Sequence, residues 1–177
     1  MLANRDELKA VLAERTRLGK VFARHAYGMR AWVDLFAARI PALSADHAEL
    51  VAGVVADNAR HMNLFRARAA AHGVDPDAYL PPPEGTAIYD RLDALETFEE
   101  QAAYALGSLD HFAELLAVYA SAAEGEDAAV IAAVRADNDR TREQLRVLIG
   151  HGPHADEAHE LYRLRELAET PEYARAA

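Results

Sequence analysis

The sequence predicts an all-α protein: a four-helix bundle with a long crossover between its second and third helices, closed by a short C-terminal helix. Three observations predict it. Apolar residues recur at three-four spacing over stretches of five turns and more, the period of one helix face. Glycine and proline lie mostly between those stretches. Alanine, the best helix former, is very common. At 177 residues, about half of them apolar, the chain has material for one core.

The expected first helix runs from about Arg5 to Ile40, with Leu18, Phe22, His25, Met29, Trp32 and Phe36 inward, and Pro41 ends it. Ser44 is the N-cap of the second, which runs to about Ala71 on a stripe of Val51, Val54, Asn58, His61 or Met62, and Phe65. Gly73 stops it. The segment from Val74 to Gly85 contains Asp75-Pro76-Asp77 and Pro81-Pro82-Pro83, through which no helix continues. A third helix is expected from Ile88 to Ala122, with Phe98, Ala102, Ala105, Leu109, Phe112 and Leu116 inward and Gly125 breaking it. The fourth covers Asp127 to Ile149, with Ile131, Val134, Asn138, Thr141, Leu145 and Leu148 inward, closed by Gly150 and Pro153. A short amphipathic helix, Glu157 to Leu167, follows. The short first and third links make each pair an antiparallel hairpin, and the long middle link can cross the bundle. The expected organisation is a bundle over 1–150 and a C-terminal helix and tail over 151–177.

Charge and composition exclude several function classes. A net charge of −10 argues against nucleic-acid binding, which needs clustered Lys and Arg. Without cysteine there is no disulfide, thiolate metal site, Cys nucleophile or covalent haem. Met1 to Lys9 is charged, and no apolar run reaches membrane-spanning length, so a cytoplasmic protein without signal peptide or membrane span is expected. No Gly-x-Ser-x-Gly turn or phosphate-binding glycine loop points to a hydrolase.

An internal repeat is the most informative feature. Val54-Val55-Ala56-Asp57-Asn58-Ala59-Arg60 and Val134-Arg135-Ala136-Asp137-Asn138-Asp139-Arg140 agree at five of seven positions, at an offset of 80. Ala103-Tyr104 echoes Ala26-Tyr27 at an offset of 77. The same Asp-Asn-x-Arg unit thus stands at one point of both hairpins, which suggests duplication and a pseudo-two-fold bundle.

The segment Asp57-Asn58-Ala59-Arg60-His61-Met62 resembles the Glu-x-x-His motif of the ferritin and rubrerythrin superfamily, and the resemblance in helix order, crossover and repeat extends over about residues 5 to 150. It implies a ferritin-like bundle, in which each hairpin gives one glutamate and one Glu-x-x-His to a pair of iron or manganese ions. The ligands have changed here. Asn58 replaces the second-helix glutamate while His61 is retained; Asn138 and Thr141 replace the fourth-helix pair. His25 stands at the first-helix ligand position, and Ala102 or Ala105 at the third.

This inventory is short of the carboxylates that hard, bridged cations need. The expectation is therefore a degenerate metal site whose polar core pocket binds a small molecule or partner. Asn58 and Asn138 would pair as amides, with His25, His61 and Thr141 completing the hydrogen bonds and Tyr27 and Tyr104 capping the layer. At most a single Fe, Mn or Zn ion is expected, from His25 and His61 with Asp57, Glu99 or Asp137. Asp57 and Asp137 can equally pair with Arg60 and Arg140 along their helices. Glu96, Glu99 and Glu100 can equally be a solvated face. The tail carries His151, His154 and His159, a loose metal spacing more typical of a surface. Two other readings stay open: a divergent non-haem metal-dependent oxidoreductase using His25 and His61, and a structural module assembling as a helical homodimer. Haem held axially by those two histidines is a remoter option.

Overall fold

A computed structural model describes residues 13–150 and 152–175, with side chains described through Glu169. Among these residues the chain is all-helical: α1 Arg15–Ala37, a 3₁₀ turn Ile40–Ala42, α2 Ala45–Ala71, α3 Pro83–Asp93, α4 Phe98–Ala120, α5 Gly125–Ile149 and α6 Pro153–Arg175. None is long and apolar enough to cross a membrane. The expected start of the first helix at Arg5, and His151 in the tail, lie outside the described residues. The described residues divide into two compact units, Leu18–Leu80 and a second made of 13–17, 81–150 and 152–175.

In the first unit every residue of the expected α1 stripe, Leu18 through Phe36, is buried. Ser44 caps α2 as its sequence position implies, its side chain accepting from the His47 amide at 3.4 Å. The α2 stripe is narrower than expected. Val51, His61, Phe65 and Ala69 are buried, while Val54, Asn58 and Met62 are half-buried. The two helices run antiparallel. Phe22 stacks on Phe65 at 5.8 Å and on His72 at 5.8 Å, and His25 lies 5.4 Å from Phe65. Gly73, at φ +76°, turns the chain out of α2. Val74 then folds back on α1 where Gly19 leaves room; a Cβ at 19 would lie 2.6 Å from Val74 Cγ2.

The second unit corrects the expectation of one helix from Ile88 to Ala122. Two helices occupy that stretch. The first, α3, starts at Pro83, where proline lacks only an amide that helix starts leave unused. It ends at Asp93, and Thr97 begins α4 with a reciprocal cap: its hydroxyl accepts from the Glu100 amide at 3.2 Å, and the Glu100 carboxylate accepts from the Thr97 amide at 3.0 Å. A helix that can cap itself at Thr97 has no need to continue from Ile88.

α4 is the centre of this unit, with α5 and α6 packed on it and α3 packed on α6. Against α5, one Asp110 oxygen accepts from Arg142 Nε and Nη2 at 2.9 and 2.6 Å and from Arg146 Nη2 at 2.6 Å. Leu148, expected inward, is 45 % exposed beside an 80 % exposed Val147, so the core stripe of α5 ends at Leu145. Against α6, Gly107 meets the backbone of Ala155. α6 itself runs well past the short segment expected and buries Ala155, Ala158, Tyr162, Arg165, Glu166 and Glu169. Arg91 of α3 grips Glu157 of α6 through both carboxylate oxygens, at 2.6 and 3.1 Å.

A Cβ at position 107 would lie 1.9 Å from the Ala155 carbonyl oxygen. Gly107→Ala is therefore expected to cost about 1–3 kcal/mol or more in denaturant unfolding. Gly53→Ala meets nothing within 4 Å on an exposed face of α2 and is expected to stabilise by about 0.5–1 kcal/mol in the same measurement. A pH effect is expected from Glu157. The Arg91 hydrogen bond, helped by His154, holds its carboxyl below the ordinary range. A depressed pKa supplies stability that is complete above the unfolded value, about 4.3, and is lost as pH falls through the folded one. Glu157→Gln should therefore flatten the fall in melting temperature below about pH 4.5, measured against the parent.

Candidate functional site

His25, Asn58, His61 and Tyr27 belong to the first unit; Asn138, Thr141 and Tyr104 belong to the second. In the first unit, α1 buries His25 to 4 % exposure, and α2 buries His61 completely. Arg24, itself 2 % exposed, has its Nη2 at 3.4 Å from His25 Nε2. A guanidinium only donates, so a hydrogen bond between the two uses the lone pair of Nε2. Asn58 is half-buried and donates to the Val54 carbonyl one turn earlier at 2.8 Å. Asp57 is paired with Arg60 at 2.7 Å. Tyr27 packs at 5.4 Å on Tyr79.

In the second unit, Asn138 and Thr141 are buried at 6 and 7 % exposure on the inner face of α5. The Asn138 amide nitrogen has no hydrogen-bond acceptor. Within its own unit Asn58 donates its amide to its own helix, whereas the Asn138 amide nitrogen has no acceptor. Asp137 is nearly buried and bonds Arg140 at 3.0 Å, repeating the Asp57–Arg60 pair. The local Asp–Arg geometry of the two repeat segments therefore matches where their asparagines differ.

The tyrosines of the repeat also differ. Tyr104 is fully buried and donates to the Ile88 carbonyl at 2.9 Å, which ties α4 back to α3. Burial pushes its phenol far above the ordinary tyrosine range. Glu99, in the first turn of α4, and Glu96, just before that helix, are both exposed, and Glu100 is committed to the helix cap. No three His, Asp or Glu side chains form a group able to hold a metal ion among the described residues.

Two buried groups have no counterpart among the expected site residues. His111, 1 % exposed on α4, meets His159 of α6 edge-on at 5.3 Å and Tyr162 at 5.8 Å, and His159 Nε2 lies 3.4 Å from Glu114. Arg165 stands over the Tyr162 ring at 4.8 Å and 3.3 Å from Glu166, both charges buried. A sequence signal for the first exists. His111 and Glu114 stand three apart on α4, and His159 and Tyr162 three apart on α6, so each pair shares a helix face. The second has none, because Arg-Glu-x-x-Glu reads as a solvated face. His154 contacts Glu157 at 3.1 Å, which gives it a structural partner.

Tyr104→Phe should cost about 1 kcal/mol, the ordinary net worth of a hydrogen bond, in equilibrium unfolding. A phenol held above its unfolded value stabilises the fold below about pH 10 and loses that contribution as pH rises further. The parent should therefore lose stability above about pH 10 more steeply than Tyr104→Phe, which ultraviolet absorbance and melting curves together measure.

Comparisons of the chain with protein-family models, with curated proteins and with solved structures found no match.

Proposed function

We propose that this chain is a ferritin-like bundle protein that has exchanged its di-metal ligands for neutral polar side chains and uses its polar core to bind a small organic molecule. The observation that carries the reading is the set of hydrogen-bonding groups held at near-complete burial on inner helix faces: His25 and His61 in one unit, Asn138 and Thr141 in the other. Burying such groups is costly unless they are hydrogen-bonded, and the buried Asn138 amide nitrogen has no acceptor in the fold. They stand where the family resemblance puts metal ligands, with the Asn138 amide in place of a carboxylate and the Thr141 hydroxyl in place of an imidazole. Arg24 on His25 favours the same reading, because a buried guanidinium beside a ligand position opposes a divalent cation.

The proposed binding needs no redox metal. Elemental analysis of protein expressed with added Fe, Mn and Zn tests this. The expected content is far below one metal per chain, unchanged by His61→Ala. Near-stoichiometric metal that disappears in His61→Ala would instead establish the metal-dependent oxidoreductase. A fragment screen read by melting temperature should return stabilising organic compounds, by about 2–4 °C for each kcal/mol of binding stabilisation in a chain of this size. A screen with no stabilising compound counts against the proposal.

A further inference from the structure

We infer that Asn138 is the hydrogen-bond donor of a ligand site in the second unit, and that its ligand is a small neutral carbonyl compound (a ketone, ester or amide) with an apolar body. This rests on the small-molecule reading above and names the chemistry of its ligand.

The two repeat segments treat their asparagines differently. Asn58 and Asn138 each follow a valine four residues earlier on the same helix. Asn58 donates to that valine's carbonyl at 2.8 Å. Asn138 has the Val134 carbonyl at the same position in α5, yet its amide nitrogen is buried without an acceptor. The local solution that satisfies one asparagine is thus open to the other and not taken. Buried amide donors are nearly always paired. The Asn138 amide nitrogen, buried and without an acceptor in the fold, calls for one from outside it.

The atom left over defines the ligand. An NH2 group meets an acceptor oxygen; a cation would be met by the amide oxygen instead. Charge narrows the class. The nearly buried Asp137 carboxylate is adjacent in sequence, and its cation Arg140 is already bonded to it. Arg142 and Arg146 are both held by Asp110. A ligand carboxylate would add a like charge with no guanidinium released to meet it, so a neutral acceptor fits better. Ile131, Val134 and Leu145 are buried on the same face of α5, which suits an apolar body, and Thr141 offers a hydroxyl one turn from Asn138.

The test uses ¹⁵N-labelled protein titrated with cyclohexanone and N-methylpyrrolidone, with methylcyclohexane and cyclohexanecarboxylate as contrasts. The Asn138 side-chain amide signal is identified by its absence in Asn138→Leu. It should shift saturably with the two carbonyl compounds and not with the contrasts. Asn138→Leu should weaken carbonyl binding at least about tenfold, the scale of one hydrogen bond. Without ligand its melting temperature should be equal to or above the parent's, because a buried donor without an acceptor has been removed. A lower melting temperature would mean that Asn138 holds the fold together through its own hydrogen bond, and overturns the assignment. Carbonyl binding undiminished in Asn138→Leu overturns Asn138 as donor while small-molecule binding stands. Tighter binding of the carboxylate overturns the neutral class. No shift with any of the four compounds overturns the assignment, and the wider fragment screen then decides separately whether the core binds other molecules.

Discussion

The second unit can assemble only because position 107 carries no side chain. Ala155, in the first turn of α6, lays its carbonyl where a Cβ on α4 would be. Once the two backbones are that close, the contacts that follow along α4 and α6 fall into reach: His159 and Tyr162 on His111, with Ala158 fully buried in the same stretch of α6. Arg91 then reaches Glu157, and α3 is fixed on α6. A larger residue at 107 would push α6 outward and loosen all of these together, because packed interiors have no spare volume to absorb it.

Much of the fold was legible because its signals are local. The α1 stripe is read from spacing alone, and Ser44, Gly73 and Gly150 mark helix ends by known backbone preferences. The break at 94–97 was equally local. Thr97 followed by Glu100 is a capping-box pattern, masked by the apolar residues on either side that suggest one continuous helix. The long α6 was less accessible. Its buried face carries Arg165, Glu166 and Glu169, and a charged stripe reads as solvated until a neighbour covers it.

The candidate site was legible in position more than in role. Spacing put His25, His61, Asn138 and Thr141 on inner faces, and all four are buried. It could not say what their polar atoms do. Asn58 and Asn138 look alike in sequence, yet one bonds its own helix and the other does not; side-chain torsion decides that, and no periodicity encodes it. Arg24 gave no signal because it lies beside the stripe and not on it, although a neighbour in sequence can still reach the ring of His25.

The Asp110 clasp has a meaning for how the protein is made. Its arginines lie 32 and 36 positions along the chain, so α4 and α5 can find each other early, across a single short turn. Arg91 and Glu157 are 66 apart and must wait until α6 has been synthesised. On the ribosome, α3 and the Gly107 face of α4 would therefore stand uncovered while α5 emerges. That interval is when a nascent chain of this design would most need a chaperone's cover.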